Sequence, residues 1–93
     1  MHIYNVSYDL KKPGRNYAAL FTELKRIGDW WHYLESTWLI ATDETASQVW
    51  NRISPAIDQN DRVLIIEVVN NTNGWLTQEA WDWINQHFQA AAA

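Results

Sequence analysis

Ninety-three residues carry a net charge of −4 and contain no cysteine. The length is that of one small domain, the missing thiols exclude disulfides and cysteine-held zinc, and the acidic balance argues against strong unspecific binding to nucleic acid. Seven tryptophans are more aromatic surface than one compact core of this size needs, which directs part of it to a protein interface.

Residues 2–8 alternate in polarity. Tyr4, Val6 and Tyr8 share one face, and Ile3, Asn5 and Ser7 share the other. That period of two predicts a half-buried strand. Lys12-Pro13-Gly14 breaks it and marks a loop. From Arg15 the period lengthens. Tyr17, Leu20, Phe21, Leu24 and Ile27 form one helical stripe, with Asn16 as a candidate N-cap and Gly28 placed for a left-handed C-cap.

The aromatic and β-branched stretch Asp29–Thr42 reads as two short strands that bend near Glu35-Ser36-Thr37. Thr45-Ala46-Ser47-Gln48 fits a capping box. It opens a second helical stripe of Ala46, Val49, Trp50, Ile53 and Ile57, which Pro55 kinks or ends. After a turn at Asp58–Asp61, Arg62–Val69 is the most apolar run, expected as a central strand covered on both faces. Thr77 caps a last helix, with Ala80, Trp81, Ile84 and Phe88 on one side. The domain spans 1–89, and Ala90–Ala93 read as a frayed tail.

The order β, α, β, β, α, β and a closing helix predicts an α+β protein: a ferredoxin-like βαββαβ sandwich with an antiparallel sheet and an extra C-terminal helix. Right-handed crossovers put both inner helices on one sheet face. The other face is expected to carry Ile3, Asn5, Ser7, Val63, Ile65 and Glu67, too apolar to leave wet. It is therefore expected to meet a second copy, with Trp83 in the same interface.

Asp9 is the candidate catalytic residue. A carboxylate that closes a strand can hold Mg²⁺ through one or two oxygens, or it can accept hydrogen bonds from the backbone of the Leu10–Gly14 turn. Lys11, Lys12 and Arg15 follow it directly, as candidates for neutralising phosphates or as ordinary solubilising loop charges. Five of the seven basic residues lie between Lys11 and Arg26, so a basic edge on an acidic body is expected. His2, His32 and His87 lack metal-ligand spacing. No apolar run is long enough to cross a membrane, and the N-terminus does not read as a signal peptide. A cytoplasmic location is expected.

Tyr8-Asp9-Leu10, Lys12-Pro13-Gly14, Trp30-Trp31-His32, Ser36-Thr37-Trp38, Ile57-Asp58 and Asn60-Asp61 resemble the pattern of SinR-like proteins. These are distant relatives of the small ferredoxin-like CRISPR-associated family known as Cas two. The resemblance covers roughly residues 3–84. It implies a homodimer whose sheets face each other, with Asp9 opposite its symmetry mate across a metal ion. It also implies action on or near nucleic acid, as a Mg²⁺-dependent endonuclease of antiviral defence or as a purely structural partner. The other class left open is a non-catalytic dimeric scaffold or regulator that binds another protein.

Overall fold

The computed structural model describes residues 1–11 and 17–92. Lys12, Arg15 and the candidate cap Asn16 therefore lie outside the described residues, as does Ala93. The elements run β1 (His2–Asp9), α1 (Ala18–Ile27), β2 (Asp29–Leu34), β3 (Thr37–Thr42), α2 (Ala46–Ile53), β4 (Arg62–Glu67) and α3 (Gln78–Ala92). The strands form one antiparallel sheet in the order β2-β3-β1-β4. The described residues form a small α+β domain with three α-helices.

Local chemistry accounts for most boundaries. The capping box is present. Thr45 Oγ1 accepts from Gln48 N at 3.2 Å, and Gln48 Oε1 accepts from Thr45 N at 2.8 Å. Two otherwise orphaned N–H groups of α2 are thereby satisfied. Ser54-Pro55-Ala56 turns into a 3₁₀ segment and ends that helix, because Pro55 has no N–H for another turn. Thr77 Oγ1 accepts from Ala80 N at 3.3 Å at the start of α3. Gly28 departs from expectation. It lies in extended backbone at φ −179°, not in the left-handed region. A Cβ there would sit 2.0 Å from the carbonyl oxygen of Ala41, so glycine is needed where β3 crosses close by.

The two sheet faces are covered differently. Leu20, Leu24 and Ile27 of α1 and Val49 and Ile53 of α2 pack on Tyr4, Val6, Trp38 and Ile40. Burying each large aliphatic side chain contributes about 1.5–3 kcal/mol. On the opposite face, α3 lays Ala80, Ile84 and Phe88 over Ile3, Trp31, Leu39 and Ala41. Trp31 Nε1 donates to Ala80 O at 3.2 Å and fixes the helix in place.

This second layer corrects the expected bare face. Ile3 is only 2% exposed because α3 of the same protomer covers it. Val63 and Ile65 lie on the α1–α2 face. They stand opposite Tyr8 and Val6 and pack against that core, since directly opposed residues of an antiparallel pair share a side. The residues of β4 on the α3 side are Leu64 and Ile66, opposite Ser7 and Asn5. Trp83 packs against the α3 cluster and stacks on His87 at 3.8 Å. Trp50, although on the same helical stripe as the buried Val49 and Ile53, is 43% exposed beside β4. Ala90–Ala92 continue α3 as helix.

Candidate functional site

Asp9 closes β1 and continues the row of Ile3, Asn5 and Ser7 on the α3 side. The helix covers only the Ile3 end of that row. At the other end lie Asn5 and Ser7, with Leu64 and Ile66 beside them on β4. Asn5 and Ser7 are hydrogen-bonded to each other at 2.5 Å, and Ser7 Oγ lies 3.3 Å from Thr37 Oγ1. Asp9 therefore stands at the corner of an uncovered strip, between a hollow lined by Ser7, Arg62 and Leu64 and one lined by Leu10, Phe21 and Glu35.

The carboxylate of Asp9 is mostly exposed, and Lys11 Nζ lies 2.7 Å from its Oδ2. Arg62 is directly opposite in the ladder. Its guanidinium turns instead to the carbonyls of Asp61 at 2.9 Å and Gln59 at 3.5 Å. Two cations thus stand at the corner with Asp9, and the Glu35 carboxylate lines the adjoining hollow. An exposed pair of this kind is worth about 1 kcal/mol or less, so a competing phosphate can displace the carboxylate from Lys11 at little cost.

Asp61 performs the loop-holding role that the sequence left open to Asp9. Its Oδ1 accepts from Lys11 N at 2.7 Å and from the Tyr17 hydroxyl at 2.8 Å, and its Oδ2 accepts from Asp58 N at 2.9 Å. It is 6% exposed. Lys11 and Tyr17 flank residues 12–16, so one buried carboxylate clamps the chain on both sides of that stretch. In the sequence Asp61 stands out as a turn residue and as part of the Asn60-Asp61 motif, and neither reading reaches partners 44 and 50 positions away.

Aromatic rings form the floor on the other side. Trp38, 1% exposed, stacks on His32 at 4.0 Å and on Phe21 at 6.0 Å. Its Nε1 donates to the Tyr8 hydroxyl at 3.0 Å. Burial pushes the Tyr8 phenol above its ordinary value of 10.0, the Trp38 hydrogen bond works in the other direction, and the nearby Glu35 charge raises it again. Tyr8 is thus a neutral hydroxyl at physiological pH. His32 is held by stacking and by Glu35 O at 3.1 Å, as a packed side chain.

Among the described residues, no group of three His, Cys, Asp or Glu side chains is arranged to hold a metal ion. Tested against Mg²⁺, the corner of one protomer offers the Asp9 carboxylate, beside the Lys11 ammonium, with Glu35 lining the same hollow. Mg²⁺ is usually held through one or two carboxylates together with substrate phosphates and waters, so Asp9 could hold the ion only with those further ligands. No helix among the described residues is long and apolar enough to cross a membrane. No family model matches the chain, and no solved structure matches it.

Proposed function

We propose that the protein is a ferredoxin-like homodimer of the Cas-two-like, SinR-like kind that acts on nucleic acid in the cytoplasm at the Asp9 corner of its sheet. The fold reading is supported by the element order and by the strand order β2-β3-β1-β4. The functional reading is carried by one observation: an exposed Asp9 with Lys11 at 2.7 Å and Arg62 opposite it in the ladder. Lys12 and Arg15 add charge to the same loop in sequence. A phosphodiester that takes Lys11 from Asp9 leaves a free carboxylate beside the phosphate, where it can accept the proton of an attacking hydroxyl as that oxygen bonds to phosphorus, while the bond from phosphorus to the departing sugar oxygen breaks and that oxygen takes a proton from solvent.

The test is twofold. Binding to labelled single-stranded RNA and duplex DNA is measured against salt, and cleavage is measured with and without Mg²⁺, comparing wild type with Asp9→Ala. Affinity should fall steeply with salt, and Lys11→Ala should flatten the slope by about 0.7–0.9, the value of one phosphate contact. Mg²⁺-dependent cleavage lost in Asp9→Ala establishes the nuclease. Absence of binding at low salt overturns the proposal.

A second reading is a non-catalytic scaffold or regulator that binds another protein. It is favoured by the net charge of −4 and by the Lys11 ammonium that already neutralises Asp9. Absence of RNA and DNA binding at low salt selects this reading, whereas binding without cleavage in either protein selects a structural role on nucleic acid.

A further inference from the structure

β4 is an outer strand of the sheet, and its ladder to β1 determines which backbone groups are used inside. Val68 N donates to Ile3 O at 2.9 Å. Antiparallel partners alternate between bonded and non-bonded pairs, so Asn5–Ile66, Ser7–Leu64 and Asp9–Arg62 are bonded as well. The opposite side of β1 agrees, since Tyr8 N donates toward β3, to Ser36 O at 3.1 Å. The N–H and C=O groups of Val63, Ile65 and Glu67 therefore point outward from the margin of the sheet.

This margin lacks the usual protection of an edge. β4 contains no proline. The register irregularity lies between β2 and β3 rather than at β4. The only charges of β4 are at its ends, Arg62 and Glu67. Apolar surface flanks it on both sides. Leu64 and Ile66 are 57% and 51% exposed on the α3 side, and a groove lined by Trp50, Val63 and Ile65 runs along the other.

We propose that a second copy of the chain adds its own β4 to this edge, antiparallel, about a two-fold axis that passes through Ile65 perpendicular to the sheet. Symmetry restricts the register. Such an axis keeps the two faces on their own sides, so only residues of one side can oppose each other. Centred on Ile65, Val63 meets the partner's Glu67, Ile65 meets the partner's Ile65, and Glu67 meets the partner's Val63. All three outward-facing residues are then bonded.

The same register sets Leu64 opposite the partner's Ile66, and Ile66 opposite the partner's Leu64. These are the non-bonded pairs, in which side chains approach most closely. The exposed apolar residues of β4 thus cover one another. Centring on Leu64 instead would set Asp61 against the partner's Glu67, like charge on like charge. Centring on Ile66 would set Val63 against a residue beyond the strand. The chosen register alone uses every outward residue and opposes no like charges.

The product is a continuous eight-stranded sheet with the α1–α2 layers on one side and the α3 helices on the other. Asp9 pairs with Arg62, three positions from the axis. The two Asp9 corners are therefore about 20 Å apart along the strands, at roughly 3.4 Å per residue. Each corner meets nucleic acid alone, without an ion shared between the copies. The inference rests on the homodimer in the proposed function, with the sheets joined side by side instead of facing each other because α3 already covers that face, and not on its nucleic-acid part.

The chain has no cysteine, so introduced thiols report the register directly. Leu64→Cys and Ile66→Cys are made separately, then oxidised in air alone and as an equal mixture. Directly opposed non-bonded positions have Cα atoms about 4.5 Å apart, within the reach of a disulfide, whereas each position lies about 7–8 Å from its own symmetry mate. The mixture should give a covalent dimer of one chain of each kind, at least about tenfold more than either variant alone. Glu67→Pro, which removes an outward N–H and leaves the β1 ladder intact, should lower the dimer fraction in sedimentation.

Equal cross-linking in the mixture and in the single variants overturns the register, as does a wild-type dimer indifferent to Glu67→Pro. A wild-type mass of one chain at all concentrations overturns the inference together with the homodimer. Loss of RNA and DNA binding alone leaves it standing.

Discussion

The Tyr17 hydroxyl donates to Asp61 Oδ1 at 2.8 Å, across 44 positions of the chain. With Lys11 N and Asp58 N on the same carboxylate, it ties the exit of β1, the entry to α1 and the turn before β4 into one knot. Asp61→Ala should cost about 2–4 kcal/mol, since it strands buried donors that were bonded to a charged group. Tyr17→Phe removes one donor and should cost about 1–2 kcal/mol. Urea unfolding of the two variants checks both values, and a smaller loss for Asp61→Ala than for Tyr17→Phe would refute the knot.

Gly28→Ala tests the crossing of β3. Its Cβ would fall 2.0 Å from Ala41 O, a backbone atom that cannot swing aside. The expected loss is about 3 kcal/mol, or a drop in melting temperature on the order of 10–20 °C. A melting temperature within a few degrees of wild type would mean that the strand yields.

The α3 layer is tested at Ile84, which is 5% exposed over Ile3 and Trp31. Ile84→Ala should cost about 2–5 kcal/mol through lost burial and the cavity left behind. Ile84→Asp should detach the helix, raise binding of an apolar dye and move tryptophan fluorescence to longer wavelength as Trp31 meets water. Unchanged fluorescence in Ile84→Asp would place the stabilisation elsewhere.

Alkaline stability follows from the tyrosines. Burial, and secondarily the Glu67 charge, hold the Tyr4 phenol above 10.0, and burial does the same at Tyr8. The unfolded chain ionises these groups first. Their contribution is complete below about pH 10 and is lost as pH rises through the higher folded values. A tyrosinate absorbance titration should show late ionisation, with the loss of helical circular dichroism beginning above pH 10.0. Tyr4→Phe should blunt that loss, although it also removes the hydrogen bond to Glu44 O at 2.8 Å.

The parts of the fold legible in the sequence were those in which one pattern admits one reading. The alternation of Tyr4, Val6 and Tyr8, the stripe of Leu20, Leu24 and Ile27, and the Thr45–Gln48 box all reappear in place. The phase of β4 was not legible. In Val63-Leu64-Ile65-Ile66 every residue is apolar, so no alternation marks which pair faces the helices. The ladder to Tyr8 and Val6 decides it. Nor does an amphipathic helix announce what it will cover, so α3 on Ile3 was not foreseen. At the candidate site, Asp9 and Lys11 were readable from adjacency. Arg62 joins them only through strand pairing, and the role of Asp61 depends on contacts 44 and 50 positions away.

Because α3 comes last among the described elements, a refolding chain that has paired its four strands but not yet docked α3 leaves Ile3, Trp31, Leu39 and Ala41 uncovered. A transiently sticky surface of this kind misassembles with its neighbours. Refolding from denaturant at high protein concentration should therefore lose more material to aggregates than refolding in dilute solution, although both end in the same native fold.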